Sequence, residues 1–93
     1  MFDITASNKF LKDLKQLKKR SEKDFNLLQL LVARLAEAGA KGLDKKHKAH
    51  KLSGNFKGYW ECHVKPDLLL IWGEYEAIHL IELVRTGSHS DIF

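Results

Sequence analysis

The 93-residue chain holds a single cysteine, Cys62, and a single proline, Pro66. One cysteine cannot form an internal disulfide and cannot supply a Cys-rich zinc cluster. No apolar run approaches the ~18–20 residues that a membrane-spanning helix needs. The opening Met-Phe-Asp-Ile-Thr lacks the basic and apolar regions of a secretory signal, so the expected location is the cytoplasm. With six Gly, 44% hydrophobic and 30% charged residues, the composition argues against collagen, low complexity and disorder. The length allows one domain, spanning 1–93, with one modest core.

What the chain has in excess is positive charge, and it is unevenly placed. The net charge is +4. Residues 1–51 carry thirteen Lys and Arg against six Asp and Glu, a balance of +7, whereas 52–93 carry three against six. Lys9, Lys12, Lys15 and Lys19 form one cluster, and Lys45, Lys46, Lys48 and Lys51 another. Such clusters suit a polyanion, because neutralising phosphates releases counterions and gives affinity without sequence preference. A lysine-rich helix face kept only for solubility has the same composition.

Periodicity predicts the elements. Phe2 to Thr5 alternates as a short strand. Ser7 caps a helix from Asn8 to about Arg20, whose apolar face is Phe10, Leu11, Leu14 and Leu17. Ser21, with a carboxylate three residues on, starts a second helix along Phe25, Leu28, Val32 and Leu35, ending at Ala38-Gly39. Residues 40–58 read as loop. Tyr59 to Val64 alternates as a strand, Pro66-Asp67 turns the chain, and Leu68 to Trp72 is a central strand covered on both faces. Gly73 to Ala77 turns again, Ile78 to Arg85 is the last strand, and 86–93 is a polar tail. The expected fold class is α+β, in the order βααβββ. A helical hairpin would lie on one face of a mainly antiparallel four-stranded sheet, with the last three strands as a meander.

Five histidines stand in the chain: His47, His50, His63, His79 and His89. Histidine is the side chain whose ordinary pKa suits proton transfer near neutrality. The meander predicts that His63, Asp67, Arg85 and His89 meet at one end of the sheet, with His50 in the loop feeding it. The same histidines could ligate a metal, but their spacing matches no compact ligand motif. His47 and His79 read as surface residues. Cys62 alternates away from His63 and reads as a small buried hydrophobe rather than a nucleophile. Arg85 could equally pair with Glu82 or Asp91.

Three stretches carry a resemblance: His50-Lys51-Leu52-Ser53-Gly54, then Gly58-Tyr59-Trp60-Glu61-Cys62-His63-Val64-Lys65-Pro66-Asp67, then Arg85-Thr86-Gly87-Ser88-His89-Ser90-Asp91-Ile92-Phe93. Together they resemble the YafQ branch of the RelE-type toxins, the toxin halves of bacterial type II toxin–antitoxin pairs. Nearly the whole chain is covered. Leu68 departs from the aromatic residue that many members carry there, and Trp60 from the arginine of several. The resemblance implies a metal-independent endoribonuclease, without cofactor, that cuts mRNA in the ribosomal A site. It implies an active-site set of His50, His63, Asp67, Arg85, His89 and Phe93. His50 or His63 would be the base, Asp67 would orient or assist, Arg85 would clamp the phosphate, His89 would be the acid and Phe93 would stack on a base. The lysines named above would bind ribosomal RNA. It also implies a protein that is monomeric when free and is neutralised by an acidic, partly disordered antitoxin encoded by the neighbouring reading frame. The rival expectation is a non-catalytic basic RNA- or DNA-binding module of the same fold.

Overall fold

The computed structural model describes residues 1–93. Five strands form one sheet: β1 (Asp3–Ala6), β2 (His50–Lys51), β3 (Trp60–Lys65), β4 (Leu68–Tyr75) and β5 (Leu80–Gly87), in the spatial order β1-β5-β4-β3-β2. Two helices, α1 (Asn8–Arg20) and α2 (Glu22–Ala38), follow β1, and a one-turn helix α3 (His89–Ile92) follows β5. No helix is long and apolar enough to cross a membrane.

Both long helices start where their caps dictate. Ser7 Oγ accepts the Phe10 backbone N–H at 3.0 Å and donates to the Val84 carbonyl at 2.8 Å, so the cap also ties α1 to β5. Ser21 Oγ accepts the Asp24 N–H at 3.1 Å. At the end of α2, Gly39 has φ +72°, and a Cβ there would lie 2.6 Å from Glu74 Oε2. That carboxylate is anchored: its Oε1 accepts the Ala40 N–H at 2.9 Å and the Trp72 indole N–H at 3.0 Å.

The helical hairpin supplies Phe10, Leu17, Leu28, Leu31 and Leu35 to the core. The sheet supplies Cys62, Val64, Leu68, Leu70, Trp72, Ile81 and Leu83 from one face. On the other face of β4, Leu69 and Ile71 are buried as well, so β4 is covered on both sides as its unbroken apolar run predicted. β3–β4 and β4–β5 are antiparallel, and β1 pairs with β5 in parallel from Asp3↔Leu80 to Ala6↔Leu83. The intervening helices provide the long crossover that a parallel pair requires.

Several expectations change. The sheet has five strands rather than four, because His50 and Lys51 pair with Glu61 and Trp60. Two residues are too few to show a period of two, so their strand was invisible in the sequence. Gly73 stays in the ladder opposite Glu82, and the chain turns at Glu76–Ile78 instead. β5 runs on to Gly87, and the tail is a capped helical turn rather than a loop. There, Ser88 Oγ accepts the Asp91 N–H at 3.2 Å while Asp91 Oδ2 accepts the Ser88 N–H at 2.9 Å. This reciprocal pair is legible as Ser-x-x-Asp.

Candidate active site

The ladder sorts the candidate residues into rows on the sheet face away from the helices. Across β3, β4 and β5, His63 stands opposite Leu69, which stands opposite Gly87. One row on, His50, Glu61, Ile71 and Arg85 align across four strands. At roughly 4.8 Å per strand, the backbones of His63 and Gly87 lie about 10 Å apart and those of His50 and Arg85 about 14 Å. Asp67 is exposed in the turn that follows His63.

Hydrogen bonds place a proton on Nδ1 of three histidines, since a carbonyl oxygen can only accept. His50 Nδ1–H donates to the Lys48 carbonyl at 2.8 Å, which turns Nε2 toward Glu61 Oε1 at 3.4 Å. Glu61 is buried, with a side chain only 10% exposed, whereas the His50 side chain is 50% exposed. His63 Nδ1 lies 3.3 Å from the Pro66 carbonyl, leaving its Nε2 as the freer nitrogen. His47, expected at the surface, is half-buried, and its Nδ1–H donates to the His63 carbonyl at 2.7 Å. It braces the end of β3, and Lys46, His47, Lys48, His63, Lys65 and Pro66 line a cleft of ≈ 480 Å³.

Arg85 pairs with neither Glu82 nor Asp91. Its Nε and Nη2 donate to Asp13 Oδ2 and Oδ1 at 2.7 and 3.1 Å, and the Thr86 N–H donates to the same Oδ2 at 3.1 Å. This pairing raises the guanidinium pKa above its ordinary value. Nothing in the sequence signals a pair 72 residues apart.

His89 is the first residue of α3, and its exposed ring lies 4.9 Å from that of Phe93. Phe93 in turn meets Phe56 edge-on at 5.7 Å, so the C-terminal turn leans on the loop before β3. Asp91 also accepts from Arg20 Nη1 at 3.2 Å. The Ser88 backbone N–H, with Arg20 beside it, pulls the Asp91 carboxyl down to about 2. Cys62 is fully buried, and loss of hydration pushes its thiol up to about 12, which leaves no reactive thiolate near neutral pH.

The cations of α1 gather as the sequence suggested: Lys12, Lys15, Lys19 and Arg20 line one shallow groove with Gln16. Lys9, Lys45, Lys46, Lys48 and Lys51 are all exposed. The Lys51 ammonium lies 5.8 Å over the Trp60 ring.

Residues 2–93 match the family model described as "Bacterial toxin of type II toxin-antitoxin system, YafQ". The chain belongs to the YafQ toxin family. It is 37% identical over 91 residues to the mRNA interferase toxin YafQ of Escherichia coli K12, covering 98% of this chain and 95% of that one. Its fold matches YafQ in the crystal structure of the E. coli DinJ-YafQ complex with a TM-score of 0.87 at 36% identity, covering 100% and 99% of the two chains. A metal-bound toxin from Helicobacter pylori superposes with a TM-score of 0.86 at 44% identity over the whole of both chains. In the present chain no three His, Cys, Asp or Glu side chains group so as to hold a metal ion. Membership in a toxin family accounts for the shared α+β architecture. Leu68 is buried in the helix-side core, while Trp60 stacks on Trp72 at 6.2 Å.

Proposed function

We propose that this toxin is a ribosome-dependent, metal-independent endoribonuclease that cuts mRNA in the A site, and that a cognate antitoxin holds it inactive. The observation that carries the proposal is the row His63–Leu69–Gly87 beside the row His50–Glu61–Ile71–Arg85. These rows put proton-transfer groups on β2 and β3 and a fixed cation on β5, with β4 between them on one face of the sheet, and His89 lies two residues beyond Gly87.

Metal-free cleavage needs three things: a base for the 2′-hydroxyl, a cation for the phosphorane and an acid for the departing 5′-oxygen. His50 fits the base. Its Nδ1–H is committed to a carbonyl, its Nε2 can take the proton, and the Glu61 carboxylate stabilises the imidazolium that forms. Asp67 and His63 flank the nucleophile's side and orient it. Arg85 holds the non-bridging oxygens. His89 donates the proton to the 5′-oxygen as the P–O bond breaks, leaving a 2′,3′-cyclic phosphate and a free 5′-hydroxyl. Phe93, 56% exposed, offers a ring face to a base, a common way to hold unpaired RNA. Lys9, Lys12, Lys15 and Lys19 on α1, with Lys45, Lys46, Lys48 and Lys51, contact ribosomal RNA backbone through charge. The DinJ-YafQ complex of the E. coli relative supports an antitoxin as the protein partner.

The decisive experiment maps mRNA ends on ribosomes after brief induction of the wild type and of His89→Ala. Sharp A-site ends with the wild type alone are expected. The variant should lose roughly 10²–10⁴ in single-turnover rate. A substrate with a 5′-bridging sulfur leaves without protonation and should restore the variant. Toxin stripped of metal by chelator before mixing with ribosomes should cut at full rate. Growth arrest without new mRNA ends would favour the binding module instead.

A further inference from the structure

We infer that Asp13 is a positioning residue for the cleavage reaction, acting through Arg85. The inference rests on the proposal that Arg85 holds the scissile phosphate.

Asp13 is the sole acidic residue among the thirteen of α1, which otherwise carries five lysines and Arg20. A lone carboxylate on a basic helix is ordinarily solvated and balances neighbouring lysines. Here its side chain is only 16% exposed. It sits at the outer edge of β5, past Leu83, the last residue that β1 pairs with. It therefore replaces the missing neighbour strand: its Oδ2 accepts the Thr86 N–H, a ladder donor with no strand beside it. The same carboxylate takes the side-on fork of Arg85, Nε and Nη2.

The consequence for the guanidinium is geometric. Two of its five N–H groups are used, and three remain, all on Nη1 and the far side of Nη2. A planar guanidinium held on one edge presents its other edge in a fixed direction. The free edge is the end-on fork, which matches two phosphate oxygens. Asp13 thus removes the rotational freedom of a long side chain before substrate arrives. It does so without neutralising the donors that the phosphate needs. Thr86 is held a second time, by Oγ1 donating to the Leu69 carbonyl at 2.8 Å. The backbone that leads through Gly87 to His89 is therefore fixed from the same point.

The test is a double-mutant cycle on the single-turnover rate, with programmed ribosomes at saturation and then titrated. Asp13→Ala should slow cleavage by up to about 10²-fold, the scale of a misplacement near 1 Å. Asp13→Asn keeps one carbonyl acceptor and should fall between it and the wild type. The half-saturating ribosome concentration should not move. Asp13→Ala combined with Arg85→Ala should lose far less than the product of the two single losses, because the guanidinium contact disappears with Arg85 and only the Thr86 anchor remains for Asp13 to supply. Additive losses would overturn the inference, as would a faster Asp13→Asn enzyme, which would make the carboxylate a competitor of the phosphate. A normal rate for Asp13→Asn and Asp13→Ala beside a slow Arg85→Ala would also overturn it while sparing the phosphate role. A normal rate for Arg85→Ala would remove the phosphate role itself. Should Asp13→Ala fail to fold, Asp13→Asn, matched in size, decides the matter through its rate and its melting temperature.

Discussion

The buried thiol offers a direct test of which groups this active site can use. Cys62 lies on β3 between Glu61 and His63, yet faces the opposite side of the sheet and is wholly inaccessible. Its pKa rises from 9.0 to about 12, first because burial strips water from the thiolate and then because the Glu61 carboxylate is adjacent. Three pKa units lower the thiolate fraction by about 10³. At pH 8, roughly one ordinary thiol in ten is ionised, against about one in 10⁴ here. Iodoacetamide at pH 8 should therefore alkylate the folded toxin at least about 10³-fold more slowly than the toxin in urea, as read by mass spectrometry over time. Cleavage should survive prolonged exposure to the reagent. A native rate within tenfold of the unfolded rate would show that the thiol is reachable and would return Cys62 to the list of nucleophiles. Cys62→Ser separates reactivity from packing. A hydroxyl without a partner in this core should cost about 1–3 kcal/mol, which lowers the melting temperature by roughly 4–8 °C per kcal/mol in a domain of this size, while cleavage by the folded fraction persists.

Reversing Lys12, Lys15 and Lys19 to Glu should weaken ribosome association. The slope of log affinity against log salt should become shallower by about 2–3, given 0.7–0.9 per phosphate contact, and an unchanged slope in filter binding would count against α1 as an RNA face. The Asp91 carboxyl lies at about 2 in the folded chain against 3.8 ordinarily, so its cap and its pair with Arg20 stabilise the C-terminal turn above that ordinary value. That contribution is lost as pH falls from about 4 toward 2, and the NMR contact between the Phe93 and Phe56 rings should persist at pH 4.5 and fade only below pH 4. Gly87 has φ +148°, and a Cβ there would lie 3.0 Å from Asp91 Oδ2. Gly87→Ala should cost about 1–3 kcal/mol of strain and loosen His89, visible as a lower melting temperature and a slower cleavage step; equality with the wild type in both would refute this.

Elements whose signal is local were legible in the order of residues alone. Ser7 and Ser21 fixed the helix starts, because a cap needs only the next three residues, and α1 and α2 fall where the 3.6-residue spacing put them. The apolar run from Leu68 to Trp72 announced a strand buried on both faces, and alternation sent Cys62 into the core. The motifs around His50, His63 and Arg85 were enough to point to the family to which the chain belongs. Whatever depends on register emerged only on folding. A two-residue strand has no period, so the pairing of His50 with Glu61 exists only once β2 docks on β3. His47 became a brace for His63 only because the 45–48 segment folds against β3. Asp13 reads as one more charge on a basic helix until the crossover through α1 lays it along the end of β5. A carboxylate and a guanidinium 72 residues apart share no local pattern, and only the stagger between helix and strand brings them to within 2.7 Å.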